Sequence, residues 1–349
     1  MHYQKRYMIT LFVKMLTGIV LLLAILSSCS LSPEAPKKYA LIYGISKYID
    51  SYNEGESPNL TYTDDDATAV DEMLKGKGYI TTCRINSEAT KENLDTDIET
   101  LKAIIKPTDL FLFYYSGHGM QKDNKEYILL YGSVYLSNGN IYGDLSKTYD
   151  DITFAKLLDT LPTNKRVVML DSCNSGGFIN NRLEYDTIPS DYGPSSFSSG
   201  TPTPLDILFS VNLPLQINNY AIKQKAIELY NNYNPNSSSG ISPYDAIVIS
   251  ASGSQEYSYE DPELQHGLLT YFFLHTADTK YADLNGDGYV STLEAFFYIK
   301  ASIDANWNSA YYNYYIEYGD PSPGWTLDYI FSPHISGGPI DFVLFKASD

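Results

Sequence analysis

Leu110-Phe111-Leu112-Phe113-Tyr114-Tyr115-Ser116-Gly117-His118-Gly119 is the stretch that decides the fold. Its apolar start, entered from Pro107-Thr108-Asp109, reads as a strand buried on both faces. The strand runs straight into a histidine between two glycines. A second stretch repeats the layout, with Val167-Val168-Met169-Leu170 running into Asp171-Ser172-Cys173-Asn174-Ser175-Gly176-Gly177. Two strands thus deliver a His and a Cys to one edge of one sheet. Glycines there let the backbone turn sharply and leave N–H groups facing outward. A thiol near an imidazole, beside such N–H groups, has the parts of a nucleophile, a proton shuttle and an oxyanion hole.

Outward from this pair, strand and helix signals alternate. Residues 39–45 form a short apolar run ending at Gly44-Ile45. Thr63-Asp64-Asp65-Asp66 precedes Ala67, Val70, Met73 and Leu74, which is helical spacing with an acidic first turn. Gly78 stops that helix, and 80–85 resumes as a strand. Residues 90–104 are helical again, with Leu94, Ile98, Leu101 and Ile105 three or four apart. Residues 127–131 read as a short strand beside 110–115. A helix carries Phe154, Leu157, Leu158 and Leu161, and strands follow at 166–170 and 246–250. A further helix covers 268–275. This alternation predicts an α/β fold with a mostly parallel central sheet and helices on both faces. Ligands of such sheets bind beyond the carboxyl ends of the strands, where both glycine-rich turns fall. Residues 183–243 are rich in Ser, Pro, Gly and Asn, with a helix-like patch near 221–230, and read as a long insertion.

The chain has 349 residues, enough for one large domain or two ordinary ones. With 44% apolar and 19% charged residues it is neither disordered nor fibrous. Its formal charge of −18, with no dense Lys/Arg stripe, excludes a nucleic-acid partner and favours a cationic substrate. The 33 tyrosines read as amphipathic core and surface residues. Trp307 and Trp325 flank a Tyr-rich stretch, 311–318, which reads as packing.

Residues 1–29 read as a signal. Lys5, Arg6 and Lys14 precede an apolar run at 16–26, too short for a comfortable membrane span. It ends in Leu26-Ser27-Ser28-Cys29, which resembles a bacterial lipobox with Cys29 as the lipidated residue. Ser30 is not the acidic residue of inner-membrane retention. The expected location is the cell envelope, with the outer membrane favoured. Residues 30–38 form a tether, and 39–349 the folded domain. Cys83 reads as a small core residue rather than the disulfide partner of Cys173.

Asp283-Leu284-Asn285-Gly286-Asp287-Gly288-Tyr289-Val290-Ser291-Thr292-Leu293-Glu294 fits the EF-hand loop formula at every ligand position. Asp283, Asn285 and Asp287 supply side-chain oxygens, Tyr289 a carbonyl, Ser291 a direct or water-mediated ligand, and Glu294 a bidentate carboxylate. One Ca²⁺ is expected, as a structural clamp. The bland reading is an Asp/Gly-rich turn capping the helix that follows. His2 lies in the signal, His266 in a loop before Gly267 and His334 after Pro333; His275 reads as a core residue. No zinc spacing appears, and no organic cofactor is implied.

Residues 39–180 resemble the caspase/metacaspase superfamily of cysteine peptidases. Ala40-Leu41-Ile42-Tyr43-Gly44-Ile45 is similar to its first strand. Leu60, Asp66-Ala67 and 74–78 are similar to its first helix, Tyr115 to Gly119 to its His motif, and Asp171 to Gly176 to its Cys motif. The likeness resumes at 247–252 and 267–271. The His-to-Cys separation, about 55 residues, is close to the roughly 50 noted for caspases. The resemblance implies the caspase-hemoglobinase fold, with Cys173 as nucleophile and His118 as general acid/base. The N–H groups of Gly119 and Cys173 become the oxyanion hole. Asp66, Ser116 and Asp171 line the S1 pocket. Two carboxylates there imply a peptide or protein substrate cleaved after Arg or Lys. Asn174 stands where metacaspases often have His or Tyr. Arg182, Lys223 and Lys225 are candidate self-cleavage points. The alternatives are a legumain- or clostripain-like peptidase, or a non-catalytic caspase-like module that binds peptides or proteins. The oligomeric state is open.

Overall fold

A computed structural model describes residues 8, 12, 14, 15, 17, 34–49, 58–123, 125–137, 140–172, 219–233, 246–253, 258–309, 331–336 and 341–348. The chain divides into two compact units, Met1–Pro36 and Lys37–Asp349. In the first, the backbone at Met8, Phe12, Lys14, Met15 and Thr17 is helical. No helix among the described residues is long and apolar enough to cross a membrane. Cys29, Cys173, Asn174, Arg182, Trp325 and most of 183–243 lie outside the described residues.

The second unit is built on a six-stranded sheet. Its strands are β1 (Lys38–Gly44), β2 (Ile80–Ile85), β3 (Leu110–Ser116), β4 (Arg166–Asp171), β5 (Ala246–Ser250) and β6 (His334–Ser336), in spatial order β6-β5-β4-β3-β1-β2. All neighbours pair in parallel except β6, which runs antiparallel to β5. Both faces are covered, so successive side chains feed two cores. Leu110, Leu112 and Tyr114 of β3 point into one and Phe111, Phe113 and Tyr115 into the other.

The first core is closed by helices α1 (Thr63–Gly76), α4 (Asn219–Asn232), α5 (Leu268–Asp278) and α6 (Thr292–Ile303). The second is closed by α2 (Lys91–Lys102) and α3 (Asp151–Leu158). Local signals set the helix ends. The Thr90 hydroxyl accepts from the Asn93 amide to start α2, and the Asp150 carboxylate accepts from two amides to start α3. Ser291 and Glu294 form a reciprocal capping box on α6. Helix α1 has no side-chain cap; its acidic first turn faces the macrodipole instead.

The sequence places most of these elements within two or three residues. The strand expected at 127–131 corresponds to Lys125–Leu129, but it does not lie beside β3. It belongs to a separate three-stranded antiparallel sheet between Gly119–Lys122 and Thr148–Asp150. The reversal at Gly119 folds this small sheet back from the His motif, a tertiary event that a strand-length signal does not carry. Lys223 and Lys225 fall inside α4, where the backbone is committed to helix, and Lys223 Nζ donates to the Asp283 carbonyl. A peptidase needs an extended scissile segment, so neither lysine is an open cleavage point in this fold. Cys83 is half-buried on β2; burial pushes its thiol up to about 11, which leaves it unreactive at neutral pH. His275 on α5 is satisfied by Asn219, and Trp307 stacks on Tyr259, both packing roles as expected.

Candidate active site

The register of β3 and β4 sets the site. Ser116 pairs with Asp171, and the Gly117 amide donates to the Asp171 carbonyl at 3.2 Å. Each of these paired residues is followed two positions later by a candidate catalytic residue, His118 on one strand and Cys173 on the other.

His118 is held from three sides. Its amide donates to the Tyr48 hydroxyl at 2.7 Å, and the two rings lie 4.8 Å apart. Its carbonyl accepts from the Tyr115 hydroxyl at 2.8 Å and from the Leu129 amide at 3.0 Å. A trans peptide sets N–H opposite C=O, so the Gly119 N–H is aimed away from Tyr115 and Leu129. The Gly117 position admits no side chain, because a Cβ there would stand 2.6 Å from the Tyr115 hydroxyl and 2.7 Å from that of Tyr48. The third hold is on the ring, where Nε2 lies 2.7 Å from the Pro58 carbonyl. A carbonyl can only accept, so Nε2 carries the proton and Nδ1 is the basic nitrogen. Burial lowers the imidazole below its free value, partly opposed by that hydrogen bond. The ring is therefore neutral at pH 7, with Nδ1 unprotonated.

Two carboxylates meet where α1 begins and β4 ends. Asp66, in the first turn of α1, is fully buried; Asp171, at the end of β4, is 4% exposed. Asp66 accepts from the Ser116 hydroxyl at 2.9 Å, from His266 Nδ1 at 2.7 Å and from the Gly267 amide at 3.2 Å. Asp171 accepts from the Thr270 amide and hydroxyl at 3.0 and 2.6 Å, and from the Ser258 hydroxyl. Both converge on Gly267: a Cβ there would stand 2.4 Å from one Asp171 oxygen and 3.2 Å from an Asp66 oxygen. Burial raises the Asp66 carboxyl to about 6, with the Asp171 charge adding to the rise and His266 and Ser116 opposing it. Burial also raises Asp171, against its hydrogen bonds to Ser258 and Thr270.

The structure thus brings Asp66, Ser116 and Asp171 together as one cluster, with His118 two residues beyond Ser116. Asp66 also lies in the acidic first turn that the sequence places at 63–66, and Asp171 ends its strand. Sequence reasoning passed over Tyr48, Pro58, Ser258 and Thr270, and it left His266 as a loop residue. The one available signal was the likeness at 267–271, which contains Gly267 and Thr270.

The loop at 283–294 lies apart from this edge. Gly286 and Gly288 have positive φ, at 80° and 86°. Asp283 accepts from the amides of Gly286, Asp287 and Gly288. Asn285 and Asp287 each accept from the amide two residues on. Glu294 accepts from Leu284 and Asn285 on one oxygen and from Ser291 on the other. The helix-capping reading is therefore realised. No three His, Cys, Asp or Glu side chains among the described residues are grouped closely enough to hold a metal. The donor set nonetheless fits calcium: all ligand positions are hard oxygens, and the turn they need is formed.

The family profile described as "Caspase domain" matches residues 37–294. Metacaspase-1 of Candida albicans is 28% identical over 173 residues, covering 43% of this chain and 36% of that protein. The match thus spans about a third of the relative's length. Among solved structures, a Geobacter sulfurreducens protein aligns over 87% of this chain and 95% of its own, at 15% identity and a TM-score of 0.47. Caspase-1 of Spodoptera frugiperda aligns over 90% and 94%, at 10% identity and a TM-score of 0.45.

Proposed function

The chain belongs to the caspase-domain family of peptidases, and on that premise we propose that it is a cysteine endopeptidase working through Cys173 and His118. Its substrate is a peptide or protein, as membership of a peptidase family implies. The observation that carries the reading is the pairing of Ser116 with Asp171, each two residues before one member of the dyad. His118 Nδ1 takes the Cys173 proton, and the thiolate attacks the peptide carbonyl. The oxyanion forms against the N–H groups of Gly119 and Cys173. The imidazolium then protonates the leaving amine, giving an acyl-enzyme, and a water deprotonated by the same imidazole hydrolyses the thioester.

Cleavage follows Arg or Lys in this reading, with Asp66, Ser116 and Asp171 as the S1 pocket. An acidic P1 side chain would set a third carboxylate against two buried ones whose pKa values are already raised, whereas a guanidinium or ammonium offsets their charge. Asp283, Asn285, Asp287, the Tyr289 carbonyl, Ser291 and Glu294 would hold one Ca²⁺. Glu294 would exchange its hold on Leu284 and Asn285 for the ion. Bound calcium would supply charge that offsets the acidic loop and locks it against α6. Cys29 would carry the lipid that anchors the chain in a bacterial envelope, a role tested by loss of metabolic fatty-acid labelling in Cys29→Ser.

The dyad and pocket are tested together by affinity labelling. A peptidyl-arginyl chloromethylketone should alkylate Cys173, the thiolate displacing chloride to leave a thioether. The mass increment should be absent in Cys173→Ala and slowed at least a hundredfold in His118→Ala. Labelling by a peptidyl-aspartyl chloromethylketone and not by the arginyl one would contradict the pocket assignment and keep the dyad.

A further inference from the structure

The acidic pocket already holds a basic side chain of its own. His266 lies in a small hairpin in which Glu260–Asp261 pairs with His266–Gly267. The Asp261 carboxylate accepts from the Glu263 and Leu264 amides, and its carbonyl from that of Gln265. The Glu260 carboxylate accepts from the Thr61 and Tyr62 amides at 3.0 and 2.7 Å, which docks the hairpin on the start of α1. So fixed, the hairpin delivers His266 Nδ1 to Asp66 Oδ1 at 2.7 Å.

That contact fills Asp66. A carboxylate has about four acceptor directions. Oδ1 takes His266 and the Gly267 amide; Oδ2 takes the Ser116 hydroxyl and the second branch of the same amide. An incoming cation must therefore displace a donor. Ser116 is 1% exposed and the Gly267 amide is main chain, so neither can leave cheaply. The His266 side chain is 22% exposed and needs only a rotamer change. Asp171, by contrast, accepts three contacts among the described residues.

We propose, resting on the reading that this pocket receives the P1 side chain, that His266 is a specificity-determining residue. It occupies the place of the P1 cation on Asp66 and must be displaced by it. The pocket then admits only a side chain that returns more than the imidazole gives up. Arginine brings two N–H groups in a fork and a permanent charge; lysine brings the charge without the fork; a neutral side chain brings neither. Arginine is therefore preferred over lysine at P1.

The test uses agmatine, a small guanidinium, on full-length Cys173→Ala protein, so that binding is read without turnover. Calorimetry and the His266 imidazole NMR signals are followed together. Agmatine should shift those signals. Adding His266→Ala should tighten binding roughly threefold or more, and adding His266→Lys, which leaves a permanent cation on Asp66, should weaken it by a similar factor. Thermal melting verifies that each variant is folded, and the opposite signs separate competition from a packing defect. Equal affinities, or a change of the same sign in both variants, would overturn the role of His266 while leaving the pocket standing. Asp171→Asn is measured alongside. Agmatine binding that this substitution leaves unchanged, or no binding to any form, would overturn the pocket reading and this inference with it.

Discussion

Asp66 and Asp171 are held by groups 50 to 201 residues away in the chain, whereas Asp283, Asp287 and Glu294 are held by amides no more than ten residues away. Both clusters gather acidic oxygens around N–H and O–H donors. The first is assembled by α1, the ends of β3 and β4, and the 258–270 segment, so it exists only when the sheet is complete. One of its donors, His266, is exchangeable. The second is made from its own turn, and its donors are main-chain amides and the Asn285 side chain. A cluster built from distant pieces suits a pocket that opens to a guest; a local one suits a clamp that closes on an ion.

Four measurements break or sharpen that contrast. The largest effect is expected from Asp171→Asn, which removes one charge from the distant cluster. Turnover of arginyl peptides, as kcat/KM, should fall at least a hundredfold while the melting temperature changes little. An unchanged kcat/KM would make Asp171 a strand-end cap alone.

The second concerns pH. The folded-state carboxyl of Asp66 is raised to about 6, so the folded protein holds that proton more tightly than the unfolded chain. Stability from this group is full below the unfolded value near 3.8 and is lost as pH rises through about 6. At about 1.4 kcal/mol per pKa unit the loss is a few kcal/mol at most. Denaturant unfolding across pH 4 to 7 should show the decline, and Asp66→Asn should flatten it. A parallel decline in the variant would place the effect elsewhere.

Third, calcium should stabilise the wild type by about 2.7 kcal/mol at a hundred times its dissociation constant. Asp283→Ala and Glu294→Gln should abolish the gain. Stabilisation that survives both would move the ion to another site. Fourth, Gly267→Ala forces a methyl against the Asp171 carboxylate, which Thr270 and Ser258 pin in place. A loss of about 1–3 kcal/mol is expected, the usual scale of overpacking. No loss would mean that the acid pair is looser than its hydrogen bonds imply.

The same contrast explains what was legible in the sequence. The turn at 283–294 reads directly because its acidic positions and glycines share twelve consecutive residues. The core strands read from apolar runs, and the helices from threefold and fourfold spacing, since both signals are local. The His118 and Cys173 turns stand out because each follows such a run. The donors around Asp66 and Asp171 could not be read. Nothing in the local sequence of Ser258, His266 or Thr270 points to α1 or to the end of β4. Only the family likeness linked Asp66, Ser116 and Asp171, and it carried no information on His266. The Tyr48 and Pro58 contacts to His118 join residues 70 and 60 apart in the chain, again a tertiary fact. For the same reason the strand expected beside β3 at 127–131 joins the small antiparallel sheet instead.

The central claim is peptide hydrolysis by the Cys173–His118 pair with a basic P1 residue. It is tested most directly with a fluorogenic panel bearing Arg, Lys, Asp or Asn at P1, turned over by the chain from residue 30 onward and by its Cys173→Ala variant. The account predicts turnover of the Arg peptide above the Lys peptide, neither Asp nor Asn cleaved, and a loss of at least a thousandfold in the variant. Turnover that survives Cys173→Ala, or silence toward every peptide from intact and proteolytically nicked protein alike, would contradict it.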